Sequence, residues 1–169
     1  RSSDQGASAT TWGLAADFVA PGDYDGDGKF DFAIQRPVVA TNETEFWVLR
    51  SSNSVPDIFV WGQNDDFVVP GDYDGDGKTD AAVLREGAQN LTWLIRRSSD
   101  LGTTLVDFGL TATDFSVQND YDGDGKTDIA IWRNSDGNFW VLRSSDGNSV
   151  VTHWGSPDID FPVASYDTH

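Results

Sequence analysis

Phe67-Val68-Val69-Pro70-Gly71-Asp72-Tyr73-Asp74-Gly75-Asp76-Gly77-Lys78-Thr79-Asp80-Ala81-Ala82-Val83-Leu84-Arg85 carries the pattern that decides the fold. An apolar, β-branched run enters an acidic loop, and a second apolar run leaves it. The loop, Asp72 to Asp80, fits D-x-D-x-D-G-x-x-D. It recurs from Asp23 to Asp31 and from Asp120 to Asp128. Each copy packs four carboxylates into nine residues. That charge density is unfavourable unless a cation sits among the oxygens. The hard cation that accepts many oxygen ligands is calcium.

Working outward, the loops begin 49 and 48 residues apart, and much else repeats with them. An aromatic-Gly pair recurs at Trp12-Gly13, Trp61-Gly62, Phe108-Gly109 and Trp154-Gly155. Phe18, Phe67, Phe115 and Phe161 each open the segment before a loop position. Arg-Ser-Ser begins at Arg1, Arg50, Arg97 (within Arg96-Arg97-Ser98-Ser99) and Arg143, and Trp47, Trp93 and Trp140 lie near one period apart. A fixed period of about 20–50 residues marks a solenoid, propeller or array.

Each repeat reads as four short strands. The first is Phe67 to Gly71, leading into the loop. The second is Asp80 to Arg85, with counterparts at Asp31–Arg36 and Asp128–Arg133. The third is Phe46–Arg50, Thr92–Arg96 and Phe139–Arg143. The fourth ends in the aromatic-Gly pair, as in Val150 to Trp154. β-Branched and aromatic residues fill these runs, and Gly, Asn, Asp and Ser bound them. Asp136-Gly137 signals a hairpin between strands two and three of the third repeat. No capped helical period is present. The pattern predicts an all-β chain of three four-stranded antiparallel blades at 18–62, 67–109 and 115–155. Partial strands are expected at 1–13 and 161–169, all within one repeat domain. One aromatic per repeat at a fixed place is expected to be core, and Arg36, Arg85 and Arg133 to pair with acids at strand ends.

Within each loop, Asp at positions 1, 3 and 5 surrounds one centre. These are Asp23, Asp25 and Asp27; Asp72, Asp74 and Asp76; and Asp120, Asp122 and Asp124. Gly28, Gly77 and Gly125 permit the turn. The backbone carbonyls of Lys29, Lys78 and Lys126 are the expected position-7 ligands. Asp31, Asp80 and Asp128 close the sites directly or through water. Three Ca2+ sites are therefore expected. An EF-hand would need Glu at position 12, where Ile34, Val83 and Ile131 stand. The loop leads into a strand, and the metal is expected to fasten strands rather than switch helices.

The aromatic-Gly pair, the Val/Ala-Pro-Gly segment of Val19 to Gly22, and the Asp23–Asp31 loop resemble the FG-GAP (VCBS-type) repeat, as do their later copies. The resemblance spans nearly the whole chain. It implies a β-propeller of four-stranded blades with calcium loops between the first two strands. It also implies an extracellular or cell-surface setting and a role in adhesion, scaffolding or carbohydrate binding. The third copy departs, with Gln118-Asn119 in place of Pro-Gly. The fourth, Phe161 to His169, breaks off before any Gly-containing loop, so no fourth site is expected. Three blades are fewer than a ring usually needs. The chain is then part of a longer propeller, or its unfinished edges pair in trans with other copies.

Composition narrows the function. Four Asp against one Lys make each loop −3, so the three account for −9 of a net charge of −17. So acidic a protein is expected to avoid nucleic acid and anionic membranes. No apolar run is long enough to span a bilayer, so no membrane insertion is expected. The chain has no Cys and no Met; it reads as processed or excerpted, and a signal peptide could have been lost. Its two histidines, His153 and His169, join no recurring acid–base arrangement. A non-enzymatic, calcium-stabilised surface module is expected, with a structural or adhesive role. The alternatives are a carbohydrate-binding propeller and, less favoured, a non-catalytic part of a polysaccharide-degrading enzyme. Asn42-Glu-Thr44 and Asn90-Leu-Thr92 match the N-glycosylation acceptor.

Overall fold

The computed structural model describes residue 7, residues 9–157 and residues 159–162. These form three antiparallel sheets of four strands, each a simple meander. Blade 1 holds β1 (Phe18–Val19), β2 (Phe32–Val38), β3 (Glu43–Leu49) and β4 (Pro56–Gln63). Blade 2 holds β5 (Phe67–Val68), β6 (Ala81–Glu86), β7 (Asn90–Arg96) and β8 (Thr103–Leu110). Blade 3 holds β9 (Asp114–Ser116), β10 (Ile129–Arg133), β11 (Asn138–Leu142) and β12 (Ser149–His153). There is no helix among the described residues.

Burial explains the sequence pattern strand by strand. In β7, burial alternates: Leu91, Trp93 and Ile95 point into one interface, and the residues between them are half-exposed. In β6, four consecutive residues, Ala81 to Leu84, are buried. The second strand lies between two neighbouring sheets, so both its faces are covered and its sequence loses alternation. β8 is half-exposed along its length.

The blades stack in chain order. One apolar cluster joins Ala33, Phe46 and Val48 of blade 1 to Ala81 and Val83 of blade 2. Another joins Leu84, Trp93 and Ile95 of blade 2 to Ile129 and Ile131 of blade 3. Among the described residues no apolar cluster joins blade 1 to blade 3, and no closed ring is found. Blade 3 buries Trp132 and Val141 in a cluster of its own.

The tryptophan expectation needs correction. Pairing matches Trp47 with Ile34, Leu94 with Val83 and Trp140 with Ile131, so Leu94 is the true counterpart of Trp47 and Trp140. Trp93 matches Phe46 and Phe139. A one-residue slip moves a side chain to the other face of a sheet. Trp93 is core, fully buried. Trp47 and Trp140 are half-buried on the opposite face, under the guanidinium groups of Arg36 (4.3 Å) and Arg133 (4.7 Å), and Trp140 packs there against the core cluster between blades 2 and 3, as expected.

The three arginines do pair with acids at strand ends. Arg36 meets Asp17, Arg85 meets Asp66 and Arg133 meets Asp114, each through two hydrogen bonds of 2.7–3.0 Å. Each Asp also accepts a backbone N–H just after the aromatic-Gly pair, from Leu14, Gln63 or Leu110. This fixes the passage from one blade to the next.

Residues 9–17 form no strand. Trp12 nevertheless docks as Trp61 does: its Nε1 donates to the Trp47 carbonyl at 3.3 Å, and that of Trp61 to the Leu94 carbonyl at 3.4 Å. At the other end, Phe161 and Pro162 are not in a strand. The rest of the expected fourth copy, with His169, lies outside the described residues, as does Arg1. His153 ends β12, exposed, with Nδ1 3.1 Å from Asn138 Oδ1. Asn42 lies in the β2–β3 turn and Asn90 opens β7; both are exposed.

Candidate metal centres

Each acidic loop closes where strand one meets strand two. The pairs Gly22–Asp31, Gly71–Asp80 and Asn119–Asp128 form single antiparallel bridges across its neck. Inside, the first Asp organises the turn. Asp72 Oδ1 accepts from Gly75 N at 2.6 Å and Oδ2 from Gly77 N at 2.8 Å. Asp23 and Asp120 repeat this within 0.1 Å. Both glycines carry φ near +80° (81° and 82° in the second loop), where a side chain would be strained. Position 5 caps the next turn: Asp76 Oδ1 accepts from Lys78 N at 2.9 Å.

The ninth-position Asp is the most constrained. Asp31, Asp80 and Asp128 are at most 1% exposed. One oxygen accepts the N–H of the loop tyrosine, at 2.9, 2.9 and 3.0 Å for Tyr24, Tyr73 and Tyr121. The other accepts from the turn after strand three, at 2.7, 2.6 and 2.7 Å from the N–H of Ser51, Ser98 and Ser144. This carboxylate therefore ties together loop, strand two and the β3–β4 type of turn. Burial pushes Asp80 up to about 6, and the nearby Asp74 charge adds to that, against the stabilising Ser98 and Tyr73 N–H groups. Burial also raises Asp31 and Asp72. Carboxylates held at such cost are relieved by a positive ion.

Among the described residues, three triads place carboxylate oxygens within 4.8 Å of one another and could hold a metal ion: Asp23, Asp25 and Asp27; Asp72, Asp74 and Asp80; Asp120, Asp122 and Asp128. An all-oxygen set suits a hard cation such as Ca2+. The triads differ in one member. Asp31 lies outside the first, and Asp76 and Asp124 lie outside theirs, held by Ser98 Oγ at 2.8 Å and Ser144 Oγ at 2.9 Å.

The serines are the site residues that sequence reasoning missed. The second serine of each pair also reaches a loop carboxylate: Ser52 Oγ to Asp25 (2.6 Å), Ser99 Oγ to Asp74 (2.6 Å) and Ser145 Oγ to Asp122 (2.5 Å). The signal was present in the recurring Arg-Ser-Ser, whose contact with the loop spans about twenty-five residues of chain.

The loops of neighbouring blades also join. Thr79 N–H donates to the Asp23 carbonyl at 2.7 Å, and Thr127 N–H to the Asp72 carbonyl at 2.6 Å. The same threonines sit against Gly22 and Gly71, where a Cβ would fall 2.6 and 2.7 Å from them. In the third loop Asn119 takes the glycine position and its Oδ1 accepts Asp120 N–H at 2.9 Å. Comparison of the sequence with protein-family models and with curated proteins finds no match.

Proposed function

We propose that this chain is a calcium-stabilised, non-enzymatic repeat module of the FG-GAP (VCBS) type, serving a structural or adhesive role outside the cell. The convergence of three carboxylates in each of the three loops carries the proposal. Calcium is held by Asp23, Asp25, Asp27 and Asp31, with the Lys29 carbonyl. The sets at Asp72, Asp74, Asp76, Asp80 and Lys78, and at Asp120, Asp122, Asp124, Asp128 and Lys126, are equivalent. Filling a loop neutralises carboxylates at the neck where two strands meet. At calcium ten times Kd, one site adds about 1.4 kcal/mol and three independent sites roughly 4 kcal/mol. That is a large share of the roughly 5–15 kcal/mol of an ordinary domain. Thermal unfolding with calcium, magnesium or chelator tests this. Calcium is expected to raise Tm by roughly 8–16 °C at that saturation. Equal Tm in calcium and chelator would sink the proposal.

A second reading, carbohydrate binding, is favoured by one feature. A cleft of 1020 Å3 is lined by Phe18, Phe67 and Phe115, each about half-exposed, together with Asn64, Asp65 and Glu86. Exposed rings beside amides and carboxylates suit sugar faces and hydroxyls. A glycan array separates the two readings. Association with further copies is a third element of the proposal. The register that joins blades 1 and 2 needs glycine where blade 3 has Asn119, so another copy must dock differently. Light scattering with and without calcium reads this directly.

A further inference from the structure

The two blade interfaces contain the same pocket in two forms. Between blades 1 and 2 it measures 150 Å3, and between blades 2 and 3 it measures 350 Å3. Equivalent residues line both: Tyr24 and Tyr73, Thr79 and Thr127, Ser98 and Ser144. Three replacements empty the second pocket, although Ile95 and Ile129 there are larger than Val48 and Ala81 in the first. In the first pocket Phe59 lies under the Arg96 guanidinium at 4.3 Å, and Leu101 stands at the mouth. In the second, Val106, Leu142 and Gly147 take these places. The ring, the guanidinium and the mouth side chain are all gone.

What remains is an apolar pocket walled by Tyr73, Ile95, Val106, Ile129 and Leu142, with cations at its rim. Arg97 is engaged by Asp100 and Thr104. Arg143 pairs with Asp146 through one terminal nitrogen, but its Nε is buried and donates to nothing among the described residues. Lys126 has no ion pair among the described residues. Two incompletely partnered cations beside one pocket are notable in a chain with 11 Lys and Arg against 28 Asp and Glu. The volume is at the lower end of small-molecule sites, and a largely apolar wall with few polar groups is their usual make-up.

We propose that the pocket between blades 2 and 3 binds a small amphiphilic carboxylate, its apolar tail against Val106, Ile129 and Leu142 and its carboxylate on the partly exposed Arg143 guanidinium and Lys126. Titration calorimetry on the whole chain in calcium-containing buffer tests it, with 4-phenylbutyrate as the probe and 4-phenylbutan-1-ol as its neutral twin. The acid is expected to bind at one site, and more tightly than the alcohol. Val106→Phe restores the residue found at Phe59 and is expected to weaken the acid by about tenfold or more. Leu142→Phe fills the same space without adding a charge; it serves if Val106→Phe fails to fold. Arg143→Gln is expected to reduce the preference for acid over alcohol while leaving alcohol binding in place. No binding of either probe at millimolar concentration would overturn the proposal. So would undiminished binding by a folded filling variant, or an acid preference unchanged in Arg143→Gln.

Discussion

Gly71→Ala tests how the blades are joined. Gly71 does not adopt a left-handed φ, so alanine meets no backbone penalty. Its Cβ would instead fall 2.7 Å from Thr127 Cγ2 and Oγ1, and 3.0 Å from Thr127 Cβ. Carbon atoms prefer about 3.5–4.0 Å, so the overlap approaches ~1 Å. Thr127 cannot retreat freely, because its N–H is bonded to the Asp72 carbonyl at 2.6 Å. Overpacking of this kind costs about 1–3 kcal/mol, and loosening the hydrogen bond adds roughly 0.5–1.5 kcal/mol. The expected loss is about 2–4 kcal/mol, or roughly 4–16 °C in Tm for a chain of this size. Urea unfolding at saturating calcium measures it. Thr127→Ala removes two of the three close atoms, so the double variant should recover part of the loss, with a coupling of about 1–2 kcal/mol. Asn119 occupies the same place in the third loop, so the loop itself accepts a Cβ. A Gly71→Ala protein within about 0.5 kcal/mol of wild type, or strict additivity in the cycle, would refute the reasoning.

Other expectations follow from the same geometry. Asp80→Asn must turn an NH2 toward at least one of the backbone donors its two oxygens now accept. It should therefore cost about 1–3 kcal/mol even with calcium chelated, read by urea unfolding in chelator. Asp122→Asn lies at an exposed position; it should leave chelated stability within about 0.5 kcal/mol and remove one site from a calcium titration. Replacing both Ser98 and Ser99 by Ala removes the hydroxyl donors to Asp76 and Asp74, and calcium affinity at that loop should fall on the order of tenfold. Acid unfolding should involve the arginine pairs. The Arg36 hydrogen bonds hold Asp17 below its ordinary value. Burial would raise Asp114, but the Arg133, Thr113 and Leu110 donors outweigh it and leave it lowered. Groups with depressed folded values stabilise above the unfolded value of about 3.9 and lose that contribution as pH falls through the folded one. Arg133→Met should therefore flatten the stability profile below about pH 4, and an unchanged profile would count against the pairing's role.

Much of the architecture was legible because it is local. The loop, its glycines and the strands on either side occupy one continuous stretch from Phe67 to Arg85, and the repeat shows the same stretch three times. The arginine pairs were legible in kind, since a cation at a strand end seeks an acid, though not in partner. The tryptophan register was not. Trp47, Trp93 and Trp140 share a residue type at nearly one period, yet a slip of one residue exchanges the two faces of a strand, and only pairing fixes which neighbour each faces. The serines escaped for a different reason: their partners lie in another turn, and their chemistry is visible only when strand three brings that turn over the loop.

The sequence by itself determined that this protein is a β-repeat and that acidic loops stand at its strand junctions. Periodicity, glycine placement and charge density are properties of neighbouring residues and need no tertiary information. Only the tertiary structure decided which carboxylates converge, which serines hold them, and how Thr79 and Thr127 lock one blade's loop to the next. It alone showed that one blade interface is filled by Phe59 and Arg96 while its twin is left open. These contacts join residues distant in the chain, and they exist only once the sheets have stacked.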